Sequence, residues 1–282
     1  MKKIVALAGL VFAAGFTFAF DTKSFTPEGN IASYTKTDFS VTSKFGDYYR
    51  TPTAKYVHKY NGALEEEVTG YTARDVQIDK ISYEYDATRV LISTVFYDSS
   101  NILIWKTTSE YDSEYRLSSE SDYNASGTLQ SKNIYKYDGR SITESFYDGN
   151  GRLLERTITV QDALNRPNEK NSYTAVGNLD RKEVFSYGDN GKISTIETFS
   201  SEGSSRYKTV YKYDASAFLT EIQVFNAKDT LIERDIYKND SHGNPTRIST
   251  YNVAQKFGTT VYELTGISEY SYNYINLVNS EK

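Results

Sequence analysis

Histidine, the residue that most often acts as a general base, occurs only twice in this chain of 282 residues. His58 and His242 lie far apart and form no pair with metal-ligand spacing. His242 stands in the segment 239–243, Asn-Asp-Ser-His-Gly, which is typical of a solvated turn. His58 alternates with Tyr56 and Tyr60, which predicts a half-buried strand position. The chain also has no Gly-x-Ser-x-Gly nucleophile turn, so neither histidine indicates hydrolysis or metal binding.

Carboxylates are the second set of residues that could do chemistry. The densest run is Glu65-Glu66-Glu67, and paired carboxylates carry out glycoside hydrolysis. Adjacent residues of a strand point to opposite faces, so this run is not a pair and predicts a solvated strand. The Asp-rich turns lack the alternating ligands of a calcium loop, and the chain has no Cys for thiolate sites. We therefore predict no catalytic, cofactor-binding or metal-ligating residue, and a protein that is not an enzyme.

Aromatic residues are the unusual part of the composition, at 15% of the chain with 26 Tyr, 14 Phe and one Trp. Trp105 and the rows of tyrosines could form a sugar-stacking or peptide-docking surface. The favoured interpretation is that they pack the protein's own sheet, because Tyr suits a half-buried pleated surface. The sequence therefore singles out no binding residue.

The stretch Tyr147-Asp148-Gly149-Asn150-Gly151-Arg152-Leu153 predicts a tight turn between two strands. Its Asp can bond back to the turn backbone, and its closing Gly accepts a positive φ. We predict turns that start at positions 86, 98, 112, 124, 138, 148, 162, 175, 188, 200, 214, 226, 239 and 252. Looser or differently shaped turns are expected where another residue replaces the closing Gly, namely Asn101, Tyr115, Asn165, Ala217 and Asp229.

Regular turns with β-formers between them predict antiparallel strands of about eight residues. A longer period of about 25 or 26 residues is marked by Ile134, Ile158, Val184, Val210 and Ile236. The predicted fold is all-β: tandem antiparallel β-hairpin repeats that form one extended, twisted or curling meander sheet. Counting alternate residues places Tyr135 and Tyr137 on one face. The same count places Ile134, Ile158, Val184, Ile196, Ile222 and Val224 on the other face.

The N-terminus predicts a secretory signal peptide over residues 1–19. Lys2 and Lys3 precede an apolar run that ends before the small residue Ala19. That run is about 15 residues long, whereas about 20 are needed to span a bilayer. Residues 20–47 are predicted to be a leader or cap, with a strand as the alternative. Residues 48–275 form the predicted repeat domain, and residues 276–282 a C-terminal tail.

Charge limits the expected partners. The chain has 32 basic and 37 acidic residues, a net charge of -5, and the two signs are interspersed without basic blocks. Nucleic acid and anionic membrane surfaces are therefore not expected partners. We expect no integral membrane span in the mature chain and no cofactor. The expected location is the periplasm or the cell surface, with a protein or an envelope polymer as partner.

The heptapeptide at 147–153 resembles the core of the YD (Rhs-type) repeats of bacterial surface and toxin-shell proteins. The Tyr-Asp pair recurs at Tyr85-Asp86, Tyr97-Asp98, Tyr111-Asp112, Tyr137-Asp138 and Tyr213-Asp214. The resemblance covers about 55–275 loosely, with one full copy of the motif. It implies strand-turn-strand units whose motif residues are structural, so no functional site carries over. The period here is longer than in that family, and the array is too short to enclose a cargo.

These observations lead to one main functional hypothesis and two alternatives. The main hypothesis is an exported, non-catalytic repeat scaffold that binds a protein or envelope polymer along its sheet. The first alternative is an outer-membrane β-barrel, since about 17 strands with terminal aromatics could form girdles. Charged mid-strand residues on both faces, such as Glu120 and Lys182, count against it. The second alternative is a carbohydrate-binding or carbohydrate-cleaving β-protein.

Overall fold

The computed structural model describes residues 25–44, 47–256 and 258–275. The predicted signal peptide at 1–19 and the predicted tail at 276–282 lie outside the described residues. The described part of the chain forms 18 β-strands and contains no helix. The prediction of an all-β fold built from tandem antiparallel hairpins is therefore confirmed.

The strands follow one another with short turns between them. They are β1 (Ile31–Lys44), β2 (Asp47–Asn61), β3 (Leu64–Thr72), β4 (Gln77–Tyr85), β5 (Leu91–Asp98), β6 (Leu103–Tyr111), β7 (Leu117–Asn124), β8 (Leu129–Asp138), β9 (Ser141–Asp148), β10 (Leu153–Gln161), β11 (Pro167–Thr174), β12 (Leu179–Tyr187), β13 (Ile193–Ser200), β14 (Ser205–Tyr213), β15 (Leu219–Asn226), β16 (Leu231–Asn239), β17 (Pro245–Lys256) and β18 (Thr259–Tyr274).

The sheet closes on itself. Each strand pairs antiparallel with the next strand along the chain, as β8 does with β9, and β1 also pairs with β18 from Ser33↔Asn273 to Ser40↔Gly266. Among the described residues, no strand comes within 8 Å, Cα to Cα, of a strand that is not its neighbour in the ring. The meander is thus a closed barrel with no strand in its interior. Closure pairs the edge strands that an open meander would expose.

Closure corrects the predicted domain boundary at residue 47. Residues 31–44 are strand β1, which hydrogen-bonds to β2 on one side and to β18 on the other. They belong to the ring, so the strand alternative holds and the cap does not. A cap would need a free sheet edge to cover, and the pairing of β1 with both neighbours leaves none.

The barrel has two rims. The distal rim carries the turns that join an odd-numbered strand to the next even-numbered one, from β1–β2 to β17–β18. The terminal rim carries the other turns together with the start of β1 at Ile31 and the end of β18 at Tyr274. Because consecutive strands are antiparallel, every second turn lies at the same rim.

Side chains alternate between an inner and an outer face. At the ends of β4, β8 and β12, residues Tyr85, Tyr137 and Tyr187 are only partly exposed, whereas the residue before each of them is exposed. The concave side of a closed sheet is the more crowded one, so the face of these tyrosines is the inner face. Following the cross-strand partners from strand to strand assigns every other strand residue to a face.

This assignment corrects the face predicted for several aliphatic residues. Ile134 and Val184 lie on the outer face, opposite the tyrosines, as predicted. Ile196 and Ile222, however, pair with Phe185 and Tyr211 on the inner face, and Val224 lies there too. The error arises because most strand pairs contain a register shift near a turn. Each shift changes which residues face inward, so counting alternate residues along the sequence does not give the correct face on later strands.

Thirteen of the turns share one geometry. In the heptapeptide, the backbone N–H of Gly151 donates to the carbonyl of Asp148, and the N–H of Asp148 donates to the carbonyl of Arg152. The Asp148 carboxylate accepts the N–H groups of Asn150 and Arg152 at 3.0 and 2.9 Å, which confirms its role as a turn former. Of the predicted starts, 175 and 239 are each one residue away from the observed Thr174 and Asp240. Position 252 was wrong, because it lies inside β17.

The expectation of looser turns where Gly is replaced was also wrong. Those residues keep the same two backbone hydrogen bonds and the same left-handed conformation; their φ values are 59° at Asn101, 59° at Tyr115, 58° at Asn165, 61° at Ala217 and 55° at Asp229. The hydrogen-bonded strands on both sides of each turn impose its shape. The left-handed conformation costs a non-glycine residue roughly 1–2 kcal/mol.

Ala217→Gly is therefore expected to raise the free energy of unfolding by about 1 kcal/mol, because it relieves a positive φ of 61° in an alanine. The turn at 214–218 contains its own control in Ala215, which does not have a positive φ. Ala215→Gly should lower the free energy of unfolding by a few tenths of a kcal/mol through added chain entropy. Urea unfolding of both variants measures the two changes in the free energy of unfolding. Equal effects would contradict backbone strain at Ala217.

The best-packed part of the barrel is the seam where β1 meets β18. Tyr34, Ile248 and Tyr270 form a buried cluster on the inner face, and Tyr34 is only 2% exposed. The Tyr34 ring packs against Tyr272, with the ring centroids 5.7 Å apart, and against Phe25 at 5.6 Å. The aromatic residues thus pack the sheet, as favoured from the sequence, and they concentrate where the ring must close.

Candidate functional site

The inner face holds a cluster of carboxylates across β7, β8 and β9. The Tyr135 hydroxyl lies 2.9 Å from Glu120 Oε2 and 3.3 Å from Glu144 Oε1, so one donor serves two carboxylates. Burial raises the pKa of Glu120, and the charges of Asp122 and Glu144 raise it further. Burial raises the pKa of Tyr135, and the charges of Glu120 and Glu144 raise it further. The Tyr135 hydroxyl therefore stays protonated and can donate.

Asp122 belongs to the same cluster and is bound by hydroxyl groups. The Thr107 hydroxyl donates to Asp122 Oδ1, and the Ser131 hydroxyl donates to Asp122 Oδ2, both at 2.6 Å. These donors come from the strands on either side of β7. They fix the orientation of the carboxylate while its charge remains on the inner wall. The sequence did not single out this cluster, because its members are brought together by the strand register.

Replacing Glu120 by glutamine tests the burial of this charge. The pKa of Glu120 is higher in the folded state than in the unfolded state. Its contribution to the free energy of unfolding is therefore fully present below the unfolded-state pKa and is lost as pH rises through the folded-state pKa. At pH 7 Glu120→Gln should therefore raise the free energy of unfolding, by roughly 1 kcal/mol. The gain should shrink as pH falls toward 4, because the carboxyl of the wild type then becomes protonated in both states.

The matched control is Glu84→Gln, because Glu84 lies on the outer face with a side chain that is 54% exposed. As an exposed residue, Glu84 should change the free energy of unfolding by less than about 0.5 kcal/mol when it is replaced. Urea unfolding from pH 4 to pH 8 measures both variants. A Glu120→Gln variant that is less stable than the wild type at pH 7 would contradict a costly buried charge.

His58 lies on the inner face and is more buried than the sequence predicts, with 5% exposure. Its ring stacks on Tyr34 with centroids 4.1 Å apart, and its Nδ1 lies 2.5 Å from Glu65 Oε1. The Tyr60 hydroxyl donates to the same Glu65 oxygen at 3.2 Å. This arrangement ties β2 to β3 beside the seam and leaves the ring enclosed by aromatic residues. His58 is therefore part of the packing of the seam.

The remaining candidates also have structural roles. His242 is exposed in the turn at 240–244, as predicted, and stacks on Tyr274 at 4.4 Å. The run of three glutamates is dispersed, since Glu65 binds His58, Glu66 binds Asn61 and Glu67 binds Lys59. Trp105 stacks on Phe96 of the neighbouring strand with centroids 5.8 Å apart. The described residues contain no group of three or more His, Cys, Asp or Glu side chains that could hold a metal ion.

Tyrosine hydroxyls tie the strands together at the terminal rim. In five repeats the last tyrosine of an even-numbered strand donates to a backbone carbonyl 20 residues earlier. The bonds are Tyr85 to Glu65 at 2.7 Å, Tyr111 to Leu91 at 2.7 Å, Tyr137 to Leu117 at 2.9 Å, Tyr187 to Pro167 at 2.5 Å and Tyr213 to Ile193 at 2.8 Å. Four of these tyrosines, Tyr85, Tyr111, Tyr137 and Tyr213, belong to the Tyr-Asp pairs of the sequence, whereas Tyr187 is followed by Gly188.

Charge is distributed unequally between the faces. Between the turns, and leaving out the distal ends of the β1–β2 and β17–β18 hairpins, the inner face carries ten carboxylates but only three Lys or Arg side chains. The carboxylates are those of Asp38, Glu65, Asp79, Glu120, Asp122, Glu144, Glu155, Glu183, Glu233 and Asp235; the basic residues are Lys36, Lys170 and Arg181. The net charge of the whole chain is only -5, so the acidic excess lies inside. The outer face mixes both signs, as in the ion pair Lys182–Glu169 at 2.6 Å.

The fold and its surfaces define a class: a closed barrel of 18 antiparallel strands with an acidic, tyrosine-rich inner face. No protein-family model and no curated protein matches the chain. Among the described residues, no helix has the length and apolar character needed to cross a membrane.

Several solved structures show a weak likeness. A porin-like protein from Bacteroides uniformis is 11% identical, with a TM-score of 0.32 over 88% of this chain and 99% of that one. The toxin assembly TcdB2-TccC3 is 12% identical, with a TM-score of 0.27, and the match covers 75% of this chain but only 16% of that one. A protein of unknown function from Bacteroides fragilis is 14% identical, with a TM-score of 0.19 over 56% of this chain and 91% of that one. Scores this low carry no argument about function.

Proposed function

We propose that this protein is an exported, non-catalytic barrel of the cell envelope whose inner face binds a basic segment of a protein or polymer partner. The observation that carries the proposal is the concentration of carboxylates and tyrosines on the inner face. Carboxylates attract ammonium and guanidinium groups, and tyrosine rings add cation–π attraction. The proposal keeps the binding role predicted from the sequence and moves it to one face of the sheet.

The carboxylates are held ready for such a ligand. Asp122 is oriented by two hydroxyl donors, and Tyr135 bridges Glu120 and Glu144, so these side chains need little ordering when a cation arrives. A bound cation would also offset the repulsion that raises the pKa of Glu120. Binding should therefore weaken as pH falls and the carboxylates become protonated.

The test measures binding of a fluorescent oligolysine peptide by anisotropy, with oligoglutamate as the control ligand. The inner variant carries Glu120→Gln, Asp122→Asn and Glu144→Gln. The outer control carries the same number of neutralised carboxylates at Glu84, Glu110 and Glu197. We expect the inner variant to lose about tenfold in affinity, or roughly 1.4 kcal/mol, and the outer control to bind as the wild type does. Equal losses, or no binding by the wild type, would reject the proposal.

Export and kinship with YD-type repeats are parts of the same proposal. The Lys-led apolar run before Ala19 supports export, and N-terminal sequencing of the protein recovered from the cell envelope would locate the cleavage. The Tyr-Asp pairs that end the even-numbered strands support kinship with YD repeats at the level of the hairpin. In this chain the hairpins form a ring of their own.

A membrane-spanning barrel is the second candidate function. It is favoured by the closure of an even number of antiparallel strands, a property of bacterial outer-membrane barrels. Such a barrel needs an outward apolar band about 25 Å tall. The outer face here carries Lys136, Glu197 and Lys212 within the strands, which supports a water-exposed outer face. A carbonate wash of the membrane fraction decides, since a spanning barrel stays in the pellet.

A further inference from the structure

The distal rim is far more apolar than the terminal rim. Thirteen large hydrophobic side chains of the described residues are exposed, and nine of them lie at the distal rim: Tyr48, Tyr49, Val76, Ile78, Ile102, Leu154, Val176, Tyr207 and Tyr262. They are spread around the ring, from the β1–β2 hairpin to the β17–β18 hairpin. Exposed apolar groups gathered at one end of a protein mark an interaction surface.

A belt of paired basic and aromatic residues runs around the outer face just below this rim. In each of the eight hairpins that begin with an even-numbered strand, from β2–β3 to β16–β17, a Lys or Arg lies directly opposite a Tyr or Phe. The pairs are Lys55↔Tyr71, Lys80↔Tyr97, Lys106↔Tyr123, Lys132↔Tyr147, Arg156↔Tyr173, Lys182↔Phe199, Lys208↔Phe225 and Arg234↔Tyr251.

The geometry of the belt places cations over aromatic rings. Lys80 Nζ lies 4.9 Å from the centre of the Tyr97 ring, and the Arg156 guanidinium lies 5.6 Å from that of Tyr173. Six of the eight belt cations also form ion pairs, as Arg234 does with Glu221 at 2.5 Å, and the other two are Lys80 and Arg156. Amphipathic rings together with long basic side chains are the residues that favour the headgroup level of a membrane.

Two hairpins project beyond the belt. The pairing of β1 with β18 ends at Ser40↔Gly266, and the pairing of β2 with β3 begins at Ala54↔Thr72, so residues 41–44 and 47–53 pair only within their own hairpin. Residues 47–53 are all exposed. Tyr48 and Tyr49 project from this hairpin at 56% and 53% exposure. The β17–β18 hairpin projects beside it and carries Tyr262, which is 44% exposed.

We infer that the distal rim docks end-on against an anionic lipid bilayer, with the apolar tips in the interface and the belt at the headgroups. A ring of tips fits a planar surface, whereas a peptide would contact only one arc of it. Anionic headgroups complement the cations of the belt, and tyrosine side chains partition into the interface. This inference uses the outer face and the distal rim, so it stands independently of ligand binding inside.

Co-sedimentation with vesicles tests the inference on the full chain. One set of vesicles is pure phosphatidylcholine, and the other contains one quarter phosphatidylglycerol. We expect binding to the anionic vesicles that weakens with added salt. The distal variant, with serine at Tyr48, Tyr49 and Tyr262, should bind about tenfold more weakly. The control variant replaces Ile92, Tyr115 and Leu164, which are exposed at the terminal rim, with serine and should bind as the wild type does.

Thermal unfolding of both variants confirms that each is folded before binding is compared. Wild-type-like binding by the distal variant would overturn the inference, because attachment would then come from another part of the chain. Equal binding to the two kinds of vesicle would overturn the role of the belt. Release of the bound protein by a carbonate wash supports surface docking, and retention in the pellet would reject it.

Discussion

Tyr34→Ala is expected to lower the free energy of unfolding by about 3–5 kcal/mol, the range for removing a large aromatic side chain from a packed core. Tyr34 is 2% exposed, and its ring contacts residues from four parts of the chain. These contacts include His58 on β2, Tyr272 on β18 and Phe25 ahead of β1. The Phe25 ring makes a similar link, because it contacts Tyr34 on β1 and Tyr270 on β18.

The position of Tyr34 makes the loss larger than its area alone suggests. Strand β1 pairs with both β2 and β18, so a cavity beneath it weakens the one junction that turns a meander into a ring. The two ends of this junction are more than 200 residues apart in the chain. Bringing them together costs chain entropy, which the contacts at the seam must offset.

Tyr115→Ala is the matched control for Tyr34→Ala. Tyr115 is 70% exposed in a terminal-rim turn, and alanine would keep its positive φ of 59° without adding strain. Its effect should stay within about 0.5 kcal/mol. Urea unfolding gives the midpoint and the slope for both variants. Similar shifts in the two midpoints would show that the seam contributes no more than an exposed turn.

Local features of this fold could be predicted from the sequence. Turn positions, strand length and the period all follow from residue types within a few positions of one another. Asp148 and Gly151 are examples, because a side-chain acceptor and a positive φ are properties of single residues. The exposed turn position of His242 was equally local, since it follows from the turn residues around it.

Closure could not be predicted, because it depends on how the twist and the register of many strand pairs add up. The face of Ile222 was lost for the same reason, since register shifts accumulate between β8 and β15. Glu120 and Glu144 are 24 positions apart, and only the register brings both within reach of Tyr135. A pattern that repeats every hairpin, such as Lys80 opposite Tyr97, becomes visible once the register is known.

Asn244→Ala is expected to lower the free energy of unfolding by about 2–4 kcal/mol, because it removes the three hydrogen bonds of a buried side chain. Asn244 is 1% exposed. Its Nδ2 donates to the Glu28 carbonyl at 2.8 Å and to the Tyr274 hydroxyl at 2.7 Å, and its Oδ1 accepts the Glu28 N–H at 2.7 Å. One side chain thereby holds the segment before β1 and the end of β18 against the terminal rim.

Asn178→Ala provides the comparison, because Asn178 is the last residue of an equivalent five-residue turn at the distal rim. Its side chain is exposed, so the substitution should change the free energy of unfolding by less than about 0.5 kcal/mol. Hydrogen exchange should locate the effect of Asn244→Ala in β1 and β18, with β8 and β9 on the other side of the ring keeping their protection. Uniform loss of protection around the barrel would instead mean that the ring opens as one cooperative unit and that Asn244 has no special hold on the seam.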